Sequence, residues 1–271
     1  MNRKNNKRSA FRISFVVIPA AVIAGAGIIA FCVWRPSSHQ DIACQENVAR
    51  LEQLETSDIS SIEKQLQELK QQNNEEALSA MQEDISSGSG SVLSNVEIRQ
   101  KFQGTVIIGD SITESIMEYG FLDTDVVISK RGLSIADADE QLDTAISLYP
   151  SCVFLAFGSN DLELYDGNVE PFKEAYKTQV SKLQSSLPDV PVYINGILPL
   201  QDVAIAQNDA LSHYPEFNAA LEELCTELGC TFIDNSFIVE NNPSMYEPDG
   251  EHVIMDFYPL WLTYMAEMAG L

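Results

Sequence analysis

A serine placed directly after a short apolar run is the first candidate for chemistry in this chain. The run Val106 to Ile108 suits a buried strand, and Gly109 permits a tight turn into a helix that begins near Ser111. At such a turn the hydroxyl and the backbone N–H of the serine are exposed together, as acyl transfer requires. The alternative is an S-x-x-E capping box, in which Ser111 and Glu114 only start the helix. Ser111 is therefore a candidate nucleophile.

A serine nucleophile needs a general base, and the chain offers few. It contains three histidines: His39 near the N-terminal apolar segment, His213 in a polar loop, and His252. Asp249 precedes His252 by three residues, close enough to accept a hydrogen bond from one imidazole nitrogen while the other faces Ser111. A solvated Asp-Gly turn with a surface histidine is the alternative. This spacing predicts a catalytic triad of Ser111, Asp249 and His252.

Two further stretches could stabilise the oxyanion that forms during acyl transfer. The apolar stretch Cys152 to Phe157 is followed by Gly158-Ser-Asn-Asp161, a turn that places the amide of Asn160 at the same sheet edge as Ser111. Gly132 follows the second predicted strand and can offer its backbone N–H without a side chain in the way. Each stretch alone is weak evidence, because such turns are common.

The elements that must position these residues alternate between strand and helix after residue 95. Predicted strands span Val106 to Ile108, Val126 to Ser129, Val153 to Ala156, Val192 to Ile194 and Thr231 to Ile233. Predicted helices span Ile112 to Tyr119, Ile135 to Leu148, Pro171 to Leu187, Pro215 to Leu228 and Phe257 to Met268. This alternation predicts a parallel sheet covered by helices on both faces, with ligands at the carboxyl ends of the strands. All the candidate residues lie at those ends.

The N-terminal residues do not have the composition of a globular domain. Residues 1–12 are polar and basic, whereas Ile13 to Trp34 contain no charge over 22 residues, enough for about 33 Å of helix. This run is longer than the apolar region of a cleaved signal peptide, so it predicts an uncleaved transmembrane signal-anchor. Because the basic residues precede it, residues 1–12 are expected in the cytoplasm and the remainder outside the cell.

A helical stalk and a linker are predicted between this anchor and the α/β domain, over residues 35–94. Asp41 to Ile85 contain no Pro or Gly, and an apolar 3-4-3 spacing lasts for about two heptads, so an oligomer could form through the stalk. Ser86-Ser-Gly-Ser-Gly-Ser91 is typical of a flexible linker. The domain itself is expected to span residues 95–271.

The charge and the cysteine content of the chain bear on three kinds of feature: binding to polyanions, disulfides and metal sites. The chain carries a net charge of −24, and residues 95–271 carry −22, which would repel nucleic acid and polyanionic glycans. Arg131 is the one basic residue expected beside the candidate site. Cys225 and Cys230 could form a disulfide across a helix end outside the cytoplasm, although buried free thiols are the favoured interpretation. The five cysteines show no spacing typical of a metal site.

Taken together, four sequence blocks resemble those of the SGNH hydrolases, also called the GDSL esterase/lipase family, in order and approximate separation. The blocks are Gly109-Asp-Ser111, Gly132, Gly158-Ser-Asn160 and Asp249-x-x-His252. The resemblance implies a flavodoxin-like three-layer α/β/α sandwich around a five-stranded parallel sheet, and the separately predicted anchor makes the chain a membrane-anchored bacterial member. It implies Ser111 as nucleophile, His252 as general base, Asp249 as the residue that orients it, and no metal or cofactor. The implied oxyanion hole consists of Ser111, Gly132 and Asn160.

Two positions depart from the family pattern. Ile112 stands where the family name implies Leu, which leaves the reacting atoms unchanged, and Glu251 occupies a position that is often apolar in relatives. A glutamate beside His252 would raise the pKa of the imidazole by stabilising its protonated form.

The resemblance implies a serine esterase that works through an acyl-enzyme on Ser111. The predicted location favours O-acyl, mainly acetyl, esters on extracellular or cell-wall glycans. Alternatives are an O-acyltransferase using the same site, a catalytically silent anchored binding module, and a metallophosphoesterase, which two histidines in the domain disfavour. Loops 162–171 and 198–214 are expected to shape the pocket, where Tyr165 and Tyr214 either stack on a sugar or pack within the loops.

Overall fold

The computed structural model describes residue 64, residues 79–80 and 82–83, and residues 92–271. The predicted membrane segment, the Ser/Gly linker and most of the predicted stalk lie outside the described residues. Within the described part of the chain, no helix is long and apolar enough to cross a membrane.

Over residues 92–271, five parallel strands form one sheet in the order β2-β1-β3-β4-β5. The strands are β1 Val106–Gly109, β2 Val127–Ser129, β3 Val153–Ala156, β4 Val192–Asn195 and β5 Thr231–Ile233. Gly109, the last residue of β1, pairs with Ser129 of β2 and with Ala156 of β3, so these three strands end side by side. All four residues of β1 are buried, as expected for a central strand covered on both faces. The predicted five-stranded parallel α/β fold is confirmed.

Helices connect these strands. They are α1 Asn95–Lys101, α2 Ser111–Glu118, α3 Asp139–Leu148, α4 Ser159–Leu164, α5 Val169–Ser186, α6 Asp202–Ile205, α7 Tyr214–Leu228, α8 Ser236–Glu240 and α9 Phe257–Met268. One hydrophobic core contains Ile108 of β1 with Tyr176 of α5 and Leu221 of α7. A second core contains Ile107 of β1 with Trp261 of α9. Because neighbouring strand residues point to opposite faces, the sheet separates two helical layers, and the three-layer sandwich is confirmed.

The helix boundaries differ from the predictions in two places that matter for the site. The predicted helix Ile135 to Leu148 is a 3₁₀ turn, Ile135–Asp137, followed by α3. The predicted turn after β3 is instead the start of a helix, since α4 begins at Ser159 directly after Gly158. Short helices such as α4 were not predicted because six residues are too few to show an apolar period.

Candidate active site

The candidate nucleophile is the first residue of α2, directly after β1. Gly109 lets the chain pass close to its neighbours, because a Cβ at this position would lie 2.0 Å from Thr113 Oγ1 and 2.5 Å from Ala156 O. Asp110 caps the helix, and its Oδ1 accepts a hydrogen bond from the Ile112 N–H at 3.1 Å. The alternative of a capping box made by Ser111 and Glu114 is therefore wrong, because the cap lies one residue earlier. The Ser111 hydroxyl is not used in capping the helix.

The structure brings Ser111, His252 and Asp249 together in one hydrogen-bonded series. Ser111 Oγ lies 3.1 Å from His252 Nε2, and His252 Nδ1 lies 2.8 Å from Asp249 Oδ2. A carboxylate can only accept a hydrogen bond, so Nδ1 carries the hydrogen and Nε2 is left to accept from the serine hydroxyl. This is the tautomer that a general base for Ser111 requires.

The loop between α8 and α9 is built so that Asp249 stays charged. Burial raises the pKa of Asp249, but hydrogen bonds from the N–H groups of Glu251 and His252 and from the imidazole outweigh it and lower the pKa below its usual value. Both N–H groups donate to Oδ1 at 3.0 Å. Gly250, with φ +77°, completes the turn, since a Cβ there would lie 2.4 Å from a methyl group of Val203. The carboxylate is thus fixed opposite the ring that it orients.

The predicted oxyanion residues lie at the ends of the neighbouring strands. Gly132 follows β2 in a turn with φ +71°, and Asn160 is the second residue of α4 after β3. The Asn160 Nδ2 group donates to Asp110 Oδ2 at 3.1 Å and to the Leu133 carbonyl at 3.4 Å. These two acceptors are the chain neighbours of Ser111 and of Gly132. The Asn160 amide therefore lies between the other two predicted donors, whose role in catalysis stays a prediction.

Two buried aspartates accompany Asn160, and their burial was not predicted. Asp110 is 3% exposed and Asp161 is fully buried. Burial raises the pKa of each to about 7. Both Asp161 carboxylate oxygens accept from the Ile135 N–H, at 3.1 and 3.3 Å, which ties α4 to the 3₁₀ turn after Gly132. The signal that could have identified them is their position, since each adjoins a predicted site residue.

The other predicted residues near the site are occupied by contacts within the protein. Arg131 forms ion pairs with Glu114 and with Glu118 of α2. Tyr165 and Tyr214 are partly buried and pack against the first core, in agreement with the loop-packing interpretation. Glu251 is half-buried, and burial raises its pKa even though the neighbouring His252 lowers it.

A cavity with an empty volume of about 330 Å³ opens beside the residues that flank Ser111. Asp110 and Ile112 line one side of it, and Leu198, Phe257 and Trp261 line others. The loop 198–214, which was expected to shape the pocket, contributes Leu198 to this lining. The cavity offers mainly apolar surface beside Asp110 and Ile112.

Neither a metal cluster nor a disulfide is found among the residues that the structure describes. They contain no group of three or more His, Cys, Asp or Glu side chains that could bind a metal ion. Cys225 and Cys230 are free thiols, the favoured interpretation of the sequence. Burial raises the pKa of Cys225 to about 12 and that of Cys230 to about 11, so both stay protonated and unreactive.

Comparison with known proteins supports the family and the fold. The family model for the GDSL-like lipase/acylhydrolase family matches residues 107–254, a stretch that includes every predicted site residue. A GDSL-like lipase from Parabacteroides merdae is 17% identical, with a TM-score of 0.50 over 62% of this chain and 96% of that one. An acylhydrolase from Bacteroides fragilis is 18% identical, with a TM-score of 0.51 over 65% of this chain and 92% of that one. These structures support the fold. No curated protein sequence matches the chain.

Proposed function

This chain belongs to the GDSL-like lipase/acylhydrolase family of ester-hydrolysing enzymes, and we propose that it cleaves O-acyl esters through an acyl-enzyme on Ser111. The observation that carries the proposal is the series Ser111 Oγ, His252 Nε2, His252 Nδ1 and Asp249 Oδ2, joined by contacts of 3.1 and 2.8 Å. A serine hydroxyl is a weak nucleophile alone and becomes effective when an oriented imidazole accepts its proton.

In the first half of the reaction, Ser111 Oγ attacks the ester carbonyl while its proton passes to His252 Nε2. The negative charge on the carbonyl oxygen is stabilised by the N–H groups of Ser111 and Gly132 and by the Asn160 amide. The intermediate then breaks its bond to the alcohol oxygen, which leaves with the proton from His252. Asp249 stabilises the imidazolium throughout.

In the second half, His252 removes a proton from water as the water oxygen attacks the acyl carbon. The bond to Ser111 Oγ breaks, the serine recovers its proton, and the carboxylic acid leaves. General base catalysis contributes about 10² to 10⁴ in rate and one oxyanion donor about 10² to 10³. These two contributions can account for much of the rate of an esterase.

The proposed substrates are esters of short acyl groups, mainly acetyl, on extracellular or cell-wall glycans. The cavity beside Ile112 is small and lined mainly by apolar side chains, which supports a short acyl group over a lipid chain. The net charge of −22 over residues 95–271 disfavours polyanionic glycans. The uncharged segment Ile13 to Trp34 supports a single-pass membrane anchor with the catalytic domain outside the cell.

The test is hydrolysis of p-nitrophenyl acetate by the purified full-length chain and by Ser111→Ala, each with and without a chelator. We expect activity that resists the chelator and is lost in the variant, because the acyl-enzyme cannot form without the hydroxyl. A panel of acetylated glycans would follow. Chelator-sensitive activity, or equal activity in Ser111→Ala, would contradict the serine mechanism.

The same assay distinguishes the two alternatives that use this site. A sugar acceptor added to the reaction would become acylated by a transferase, whereas an esterase would release the free acid whether or not the acceptor is present. A binding module would retain a glycan without hydrolysing either the glycan or the nitrophenyl ester.

A further inference from the structure

We propose that Asp110 is a positioning residue that fixes the orientation of the Asn160 side-chain amide, so that its N–H group and not its oxygen faces the developing oxyanion. The proposal rests on the esterase function proposed above. It assigns a function to a residue that the family resemblance leaves without one, namely the direct chain neighbour of the nucleophile.

The contacts of Asp110 join two separate elements of the site. Its Oδ1 accepts from the Ile112 N–H at 3.1 Å, which fixes the carboxylate to the N-terminus of α2, where Ser111 lies. Its Oδ2 accepts from Asn160 Nδ2 at 3.1 Å, on α4. Asp110 is 3% exposed, so water does not compete for either contact. One carboxylate therefore relates the nucleophile's helix to the amide.

The orientation of the amide depends on its hydrogen-bond partners, because the two ends of an asparagine amide have nearly the same shape. Asp110 Oδ2 and the Leu133 carbonyl oxygen both accept, and both lie near Nδ2. A reversed amide would place Asn160 Oδ1 against these two oxygens and remove the donor. The contact from Asn160 Nδ2 to the Leu133 carbonyl is long at 3.4 Å. The hydrogen of Nδ2 that makes this contact can therefore turn to the oxyanion, a stronger and charged acceptor, when the oxyanion forms.

The proposed role requires Asp110 to be ionised. A proton on Oδ2 would face the hydrogens of Asn160 Nδ2 and would favour the reversed amide. The titratable groups that face Asp110 are Asp161 on α4, Glu251 and His252 on the loop before α9, Tyr258 on α9 and Tyr176 on α5. The pKa of Asp110 is raised to about 7, mainly by burial and also by the charge of Glu251, against the hydrogen bonds from the Ile112 N–H and Asn160 and the charge of His252, which lower it. Acidification below about pH 7 should therefore lower kcat through protonation of Asp110.

The first variant is Asp110→Asn in the full-length chain. The introduced asparagine can still cap α2 through its Oδ1, because asparagine is as good a cap as aspartate, but its own amide nitrogen then faces Asn160 Nδ2. We expect kcat to fall about 10²-fold, the effect of one oxyanion donor, with KM close to that of the unaltered chain. The protonation of Asp110 should disappear from the acid limb of the kcat profile.

A swap variant separates positioning from a merely structural role. Asp110→Asn combined with Asn160→Asp restores a hydrogen bond between the two positions, with donor and acceptor exchanged. We expect the midpoint of denaturant unfolding to return toward that of the unaltered chain, while kcat stays low because no donor faces the oxyanion. Asp161→Asn is the matched control, because it removes an equally buried carboxylate that accepts from a backbone N–H and from no side-chain amide. This variant should lower kcat less than Asp110→Asn.

Two kinetic results would overturn the proposal: a kcat for Asp110→Asn within about tenfold of the unaltered chain, or a swap variant that recovers kcat together with stability.

A third measurement applies even if Asp110→Asn fails to fold. In His252→Ala, which cannot titrate at the base, the ¹⁵N signal of the Asn160 side-chain amide should shift as pH is lowered through neutrality. An unchanged signal would also overturn the proposal. Because this measurement needs no activity, it distinguishes failure here from failure of the esterase assignment.

Discussion

The loop before α9 and the junction between β1 and α2 each bring one aspartate to the candidate site, under opposite conditions. The Asp249 side chain is 48% exposed and accepts three hydrogen bonds from its own turn, which lower its pKa. Asp110 is 3% exposed and accepts from two donors on different elements, and burial raises its pKa to about 7.

This difference shows that the exposure of an aspartate and the number of its hydrogen-bond donors determine which role its carboxylate can have. A carboxylate that must stabilise an imidazolium in every turnover has to be charged at every working pH, so it lies near water with several donors. A carboxylate that only orients a neutral amide can be buried, where its contacts are rigid and its charge depends on pH. Removing the group on which an aspartate acts tests whether the two aspartates have these different roles.

Removal of the base should have the largest effect. We expect His252→Ala to lower kcat by roughly 10⁶-fold, as loss of a triad histidine does elsewhere. In that background Asp249→Asn should cost nothing more, since the ring it orients is gone, whereas Asp110→Asn should still lower the residual rate about 10²-fold. Steady-state kinetics of the single and double variants measure both couplings.

The control for this cycle is His213→Ala. His213 lies outside the site, beside Gly167 and Glu216, and should leave kcat unchanged when it is removed. Additional loss from Asp249→Asn in the absence of His252 would show that Asp249 does not act through His252 alone.

Asp249→Asn in the unaltered background should have the next largest effect. The amide nitrogen would favour the wrong imidazole tautomer, and the charge that stabilises the imidazolium would be lost, so we expect kcat to fall by about 10⁴-fold. Because the Asp249 side chain is half-exposed, the midpoint of unfolding should change little. The exposed Asp123, which pairs with Arg99, provides a matched control as Asp123→Asn. A loss no greater than that of Asp110→Asn would remove the proposed distinction between the two carboxylates.

The two aspartates also differ in how far the sequence predicted them. Asp249 was identified because a three-residue spacing to His252 is local, and the five strands were predicted because continuous apolar runs are local too. The burial of Asp110 could not be predicted, since the groups around it, among them Asn160 of α4 and Glu251 and His252 of the loop before α9, are 50 or more residues away in the chain. The same holds for Asp161, whose partner, the Ile135 N–H, lies in a 3₁₀ turn that the sequence presents as part of a longer helix.

The smallest effect on kcat, and the clearest on stability, is expected from Asp161→Asn. Burial raises the pKa of Asp161 to about 7, above its value in the unfolded chain, so the folded state favours the protonated form. For a carboxyl with a raised pKa, stability is greatest below the unfolded pKa of about 4 and is lost as pH rises toward 7. Asparagine keeps an acceptor for the Ile135 N–H without the charge. The variant should therefore gain more than about 1 kcal/mol in unfolding free energy at about pH 8 relative to the unaltered chain, and much less at about pH 4. Denaturant unfolding at the two pH values measures this difference, and a gain independent of pH would show that the pKa of Asp161 is not raised on folding.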